Sequence, residues 1–71
     1  MKYNLKTLDV VALLRDIPEK KLVKGQVGTI VEEWDTGVFE VEFCNLKGET
    51  LALAQINGND LLLLHYQLSA A

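Results

Sequence analysis

Apolar and polar residues alternate most strictly from Val38 to Phe43. Phe39, Val41 and Phe43 fall on one side of an extended chain, and Glu40 and Glu42 on the other. This predicts a strand over residues 38–43 with one buried and one wet side. Just upstream, Gly25 and Gly28 bracket the start of the run Val27-Gly28-Thr29-Ile30-Val31-Glu32. Glycine there supplies a turn conformation or lets two backbones approach closely. A strand over residues 27–34 follows, and Asp35-Thr36-Gly37 has the residues of a tight turn. The two strands therefore form a hairpin.

The same reading extends in both directions. Residues 9–14 are apolar apart from Asp9, and Ile17-Pro18 discourages a helix running through them, so they are read as a first strand. Residues 16–24 form a polar connection in which Leu22 or Val23 returns one apolar group to the core. A strand over 49–56 carries Leu51 and Leu53 on one side and Ala52 and Ala54 on the other. It lies between the turns Asn45-Leu46-Lys47-Gly48 and Asn57-Gly58-Asn59-Asp60. Residues 61–64 are the last strand. Five short strands joined by tight turns predict one all-β domain over residues 1–71, a strongly bent antiparallel sheet that closes on itself and hides its edges. Its core spans 8–64, with terminal extensions at 1–7 and 65–71.

Composition narrows the classes. A 71-residue chain buries only about 60% of its unfolded surface, so marginal stability is expected without a staple. One cysteine, Cys44, excludes an internal disulfide. One cysteine and one histidine cannot close a tetrahedral metal site, and neither a metal nor a cofactor is expected. No apolar run is long enough for a bilayer span or a signal peptide, so a cytoplasmic location is expected. Six of the seven basic residues precede Gly25, whereas seven of the ten acids follow it. An acidic body repels phosphate, which disfavours nucleic acid and favours a protein partner.

Enzyme signatures are missing: there is no phosphate loop and no dinucleotide-binding glycine pattern. Cys44 and His65 would meet only if the third and fifth strands were neighbours, and no third group is at hand to orient them. Cys44 reads instead as a partly buried filler, and His65 as a cap or part of a tail. Glu32, Glu40 and Glu42 share a sheet face, but no cation-binding loop accompanies them. No catalytic, cofactor-binding or metal-binding residue is assigned, and the protein is not expected to be an enzyme.

Two features point to partner binding. The first is the acidic hairpin Glu32, Glu33, Trp34, Asp35, Glu40 and Glu42. Trp34 there is either an interface aromatic or a half-buried barrel residue whose indole N–H finds a carbonyl. The second is Leu61-Leu62-Leu63-Leu64, of which only one face can line a tiny barrel. Leu62 and Leu64 then lie under the N-terminal segment (Tyr3, Leu5, Leu8), under the tail (Tyr66, Leu68), or against another protein or a second copy in a homodimer.

The segments Asp9-Val10-Val11-Ala12-Leu13-Leu14-Arg15-Asp16-Ile17-Pro18, Gly25-Gln26-Val27-Gly28-Thr29-Ile30-Val31-Glu32, Phe39-Glu40-Val41-Glu42-Phe43 and Asp60-Leu61-Leu62-Leu63-Leu64 together resemble a family of stand-alone bacterial proteins of unknown function. The resemblance covers about residues 8–64 and implies an SH3-like barrel and a bacterial source, with no activity attached. A fainter resemblance, in Lys24-Gly25 and Val27-Gly28-Thr29-Ile30, is to the KOW-type barrels of ribosomal proteins and elongation factors. It implies an alternative, an RNA-binding accessory protein using Lys20, Lys21 and Lys24, from which the acidic hairpin departs. The favoured expectation is a small non-catalytic protein-binding module that regulates or stabilises a larger bacterial protein.

Overall fold

The computed structural model describes residues 5–65. Five strands run in chain order: β1 (Val10–Leu13), β2 (Val27–Asp35), β3 (Val38–Cys44), β4 (Thr50–Asn57) and β5 (Leu61–Leu63). All neighbours are antiparallel, in the order β4-β3-β2-β1-β5. Two 3-10 turns, Pro18–Lys20 and Gly58–Asp60, complete the regular structure. No α-helix occurs among the described residues. The fold is all-β, as the alternation predicts, with every strand within a few residues of its expected bounds.

One register row explains how the core closes. Ala52 lies beside Phe43, Phe43 beside Gly28, Gly28 beside Val11, and Val11 beside Leu63. Phe43 thus sits between the two smallest residues of the row. A Cβ on Gly28 would lie 2.7 Å from Val41 Cγ1, 2.8 Å from Phe43 Cδ1 and 2.9 Å from the Glu42 carbonyl oxygen. Only glycine lets β3 lean its large side chains across β2. The cluster beneath holds Val11, Leu13, Ile30, Phe39, Val41, Phe43, Ala54, Ile56 and Leu61, so residues of all five strands share one core. The sheet is curled around that core.

The loop between β1 and β2 is anchored from within. Ile17 and Leu22 form an isolated bridge, and both are buried, while Val23 is exposed. Pro18 opens the 3-10 turn between them, and Lys21 ends it in the left-handed region at φ 58. Leu22 is therefore the residue that returns to the core. Asp16 Oδ1 accepts the Lys24 N–H at 2.8 Å, and the Gly25 N–H donates to the Leu13 carbonyl at 2.7 Å with Gly25 at φ 89. The end of β1 is held to the second 3-10 turn by the Leu14 N–H on the Asp60 carbonyl at 2.8 Å and by an Arg15–Asp60 ion pair at 3.0 Å.

Closure is less complete than the turn pattern predicts. β4 and β5 are not hydrogen-bonded neighbours, so among the described residues the sheet keeps two edges. The reason lies in the Gly58–Asp60 turn. It redirects the chain onto β1 instead of folding it back along β4, and the Gly58 N–H is held by the Gly37 carbonyl at 2.8 Å.

Two substitutions separate packing from exposure. Gly28→Ala is expected to cost about 1–3 kcal/mol through overpacking. Leu22→Ala is expected to cost about 2–5 kcal/mol, and Val23→Ser in the same loop less than about 0.5 kcal/mol. Urea unfolding of the three variants checks this order.

Candidate functional site

The outward face of the sheet is read from the rows between the core rows. One outer row runs Leu53, Glu42, Thr29, Val10 across β4, β3, β2 and β1. A second runs Gln55, Glu40, Glu32. A third joins Val27, Ala12 and Leu62 across β2, β1 and β5. The face is therefore acidic at its centre and apolar at both flanks.

The register sets Glu32 directly opposite Glu40, with Glu42 two residues further along β3. Like charges facing each other across an antiparallel pair are destabilising. No lysine or arginine side chain bridges these acids among the described residues; the Glu42 carboxylate instead accepts the Thr50 hydroxyl at 2.7 Å.

The other members of the hairpin have different work. The Glu33 carboxylate accepts the Gly37 N–H at 3.3 Å, and Asp35 Oδ1 accepts the Thr36 N–H at 2.7 Å. Both acids hold the β2–β3 turn, where Gly37 adopts φ 74. β2 carries two register shifts against β3, between Ile30 and Glu32 and between Glu33 and Asp35. Trp34 is the extra residue of the second shift and is 57% exposed, which corrects the reading of it as a half-buried barrel residue. A bulge leaves its residue unpaired and re-aims the side chain.

The two leucines of the last strand part company. Leu62 is 51% exposed on the outer face. Leu64 is only half-buried, and its N–H donates to the Val10 carbonyl at 2.9 Å. Among the residues expected to cover them, Leu5 packs against the core and Leu8 is exposed. Tyr3, Tyr66 and Leu68 lie outside the described residues.

Pattern reading missed the β4 contribution. Leu51 and Leu53 point outward and are 55% and 54% exposed, while Ala54 is buried and Ala52 packs against the core. Size alone suggests placing the leucines inside. The register decides otherwise, because Ala52 and Ala54 face Phe43 and Val41 and leave room for them. An open concavity of about 340 Å³ lies on the same outer face, lined by Val10, Val27, Thr29, Glu42, Cys44 and Leu46.

Cys44 and His65 do not form a pair. β1 and β2 lie between β3 and β5, and both residues are exposed. Cys44 is not a partly buried filler, because it ends β3 where the register shifts and the chain turns away from the sheet. Lys20, Lys21 and Lys24 are exposed on the β1–β2 loop, away from the acidic rows. No group of three or more His, Cys, Asp or Glu side chains suited to a metal ion occurs among the described residues. No helix among them is long and apolar enough to cross a membrane.

Two measurements check these placements. Cys44 is expected to react with a thiol reagent in the native protein at close to its rate in urea. Trp34→Ala is expected to change stability by less than about 0.5 kcal/mol, as an exposed residue should.

No curated protein and no solved structure matches this chain. The model of one family, described as a domain of unknown function (DUF4926), matches residues 7–63. That span is most of the sequence, and the chain belongs to the DUF4926 family.

Proposed function

We propose that this SH3-like barrel is a non-catalytic module that binds another protein through its outward sheet face and thereby regulates or stabilises that partner in the bacterial cytoplasm. One observation carries the reading. Glu32 and Glu40 oppose each other on a face flanked by exposed Leu53 and Leu62. The like-charge pair costs the isolated chain stability, and a basic partner surface relieves it while covering the apolar flanks. Trp34, exposed beside this face, is the kind of aromatic that anchors interfaces. Nucleic acid is the poorer fit, because the same face repels phosphate and the lysines of the β1–β2 loop stand apart from it.

The test is a tagged pull-down from the native cells at moderate salt, with the eluate examined for protein and nucleic acid. One stoichiometric protein is expected. It is released as salt rises, because exposed charge contacts are screened. The Glu32→Gln/Glu40→Gln variant is expected to retain its fold and to lose most of that capture. Salt-independent capture that survives this double substitution overturns the acidic-face reading. Recovery of RNA, lost on replacing Lys20, Lys21 and Lys24, establishes the alternative instead.

A further inference from the structure

Strand β4 is the longer of the two edges of the sheet. It is eight residues, Thr50–Asn57, and among the described residues it has β3 on one side and no strand on the other. Its sequence, Thr-Leu-Ala-Leu-Ala-Gln-Ile-Asn, contains no charge, no proline and no glycine. Its only register irregularity lies at its start, opposite Cys44. Natural sheets guard such edges with lysine, proline, a mid-strand bulge or extreme shortness. The other edge, β5, has the last of these protections, at three residues. Among the described residues β4 has none, and it carries Leu51 and Leu53 more than half exposed along an edge that no described strand covers.

We infer that β4 is a homodimerisation edge, pairing antiparallel with β4 of a second copy to make one continuous ten-stranded sheet. Electrostatics selects both the occupant and the geometry. An antiparallel pair of identical strands is two-fold symmetric, so the same patch serves both chains. Because β4 is uncharged, self-pairing sets no like charges opposite each other. The acidic residues Glu40 and Glu42 lie one strand further in, on β3. Strands are about 4.8 Å apart, so the two β3 strands of a dimer are about 14 Å apart, beyond the Debye length of about 8–10 Å at physiological ionic strength. Association of two outer faces would instead press Glu32, Glu40 and Glu42 against their own copies. A chain with a net charge of −3 therefore meets itself through its one long neutral edge.

Pairing near the middle of the strand brings Leu51 and Leu53 of one copy alongside those of the other on the outward face. It also completes the backbone hydrogen bonding of both edges. The gain falls to a chain too short to bury a large core alone. The inward surface is already filled by Ala54 and Ile56, so the barrel interior need not change.

Sedimentation equilibrium of the wild-type chain over a wide concentration range is the test. The expected result is a reversible species of twice the 7.9 kDa chain mass. Leu51→Lys and Leu53→Lys, made separately, place a guarding charge on the edge. Each is expected to weaken self-association by at least about tenfold with an unchanged circular dichroism spectrum. A wild-type chain that stays monomeric at every concentration overturns the inference. So does a dimer that persists in both folded lysine variants. Hydrogen exchange on the wild type decides the matter if the variants misfold. Protection of the β4 amides must then rise with protein concentration, and protection that is unchanged, or that rises only in β5, overturns it. The two readings fail separately: self-association is read on the pure chain and should survive Glu32→Gln/Glu40→Gln, which lie off β4, whereas Leu51→Lys tests the edge without touching Leu53, the residue that both surfaces share.

Discussion

The close approach of β2 and β3 over Gly28 is the constraint on which the rest of this structure depends. Phe43 is fully buried because Gly28 and Ala52, on either side of it, surrender the space a larger side chain would take. Val41 leans into the same gap. With both side chains directed inward, β3 can carry Glu40 and Glu42 outward without conflict. A small chain has few large core residues to place, and here three of them sit on one strand. Their neighbours must then be small, and the curl of the sheet follows from that mismatch.

The same mismatch settles which way β4 faces. Leu51 and Leu53 are larger and more apolar than Ala52 and Ala54, yet they lie outside. Burial of β3 takes precedence over burial of β4 because the aromatic side chains remove more apolar surface from water. The outward face inherits the excluded leucines, so it is apolar at the margins and acidic along the middle. This division separates two kinds of contact: neutral ones at the β4 edge and charged ones on the sheet face.

Much of this was legible in the chain. Strict alternation from Val38 to Phe43 locates β3 and its buried side, and Gly28 reads as a site either of a turn or of close approach. Both hold because period-two patterning and the missing Cβ are local properties. The acids were also placed on a shared face, since Glu32 and Glu40 follow from the hairpin. What was not legible depends on register between strands distant in sequence. The outward turn of Leu51 and Leu53, the exposure of Cys44 and its separation from His65 are decided by which residue faces which across the sheet. The two bulges in β2 were hidden for the same reason: nothing in Glu33-Trp34-Asp35 announces that Trp34 is the extra residue. The open edge of β4 depends on where Gly58–Asp60 sends the chain, which turn-forming residues alone do not determine.

β1 has a further consequence for how the protein comes into being. It pairs with β2 on one side and with β5, at residues 61–63, on the other. The hairpins β2–β3 and β3–β4 are local and can form as soon as they are made, whereas β1 stays half-satisfied until β5 has been made. Contacts between strands far apart in sequence are slow to find because loop closure precedes any reward. During synthesis, the neutral β4 strand is therefore complete before the sheet that supports it is. In that interval a nascent chain exposes its least guarded segment while β1 still waits for β5.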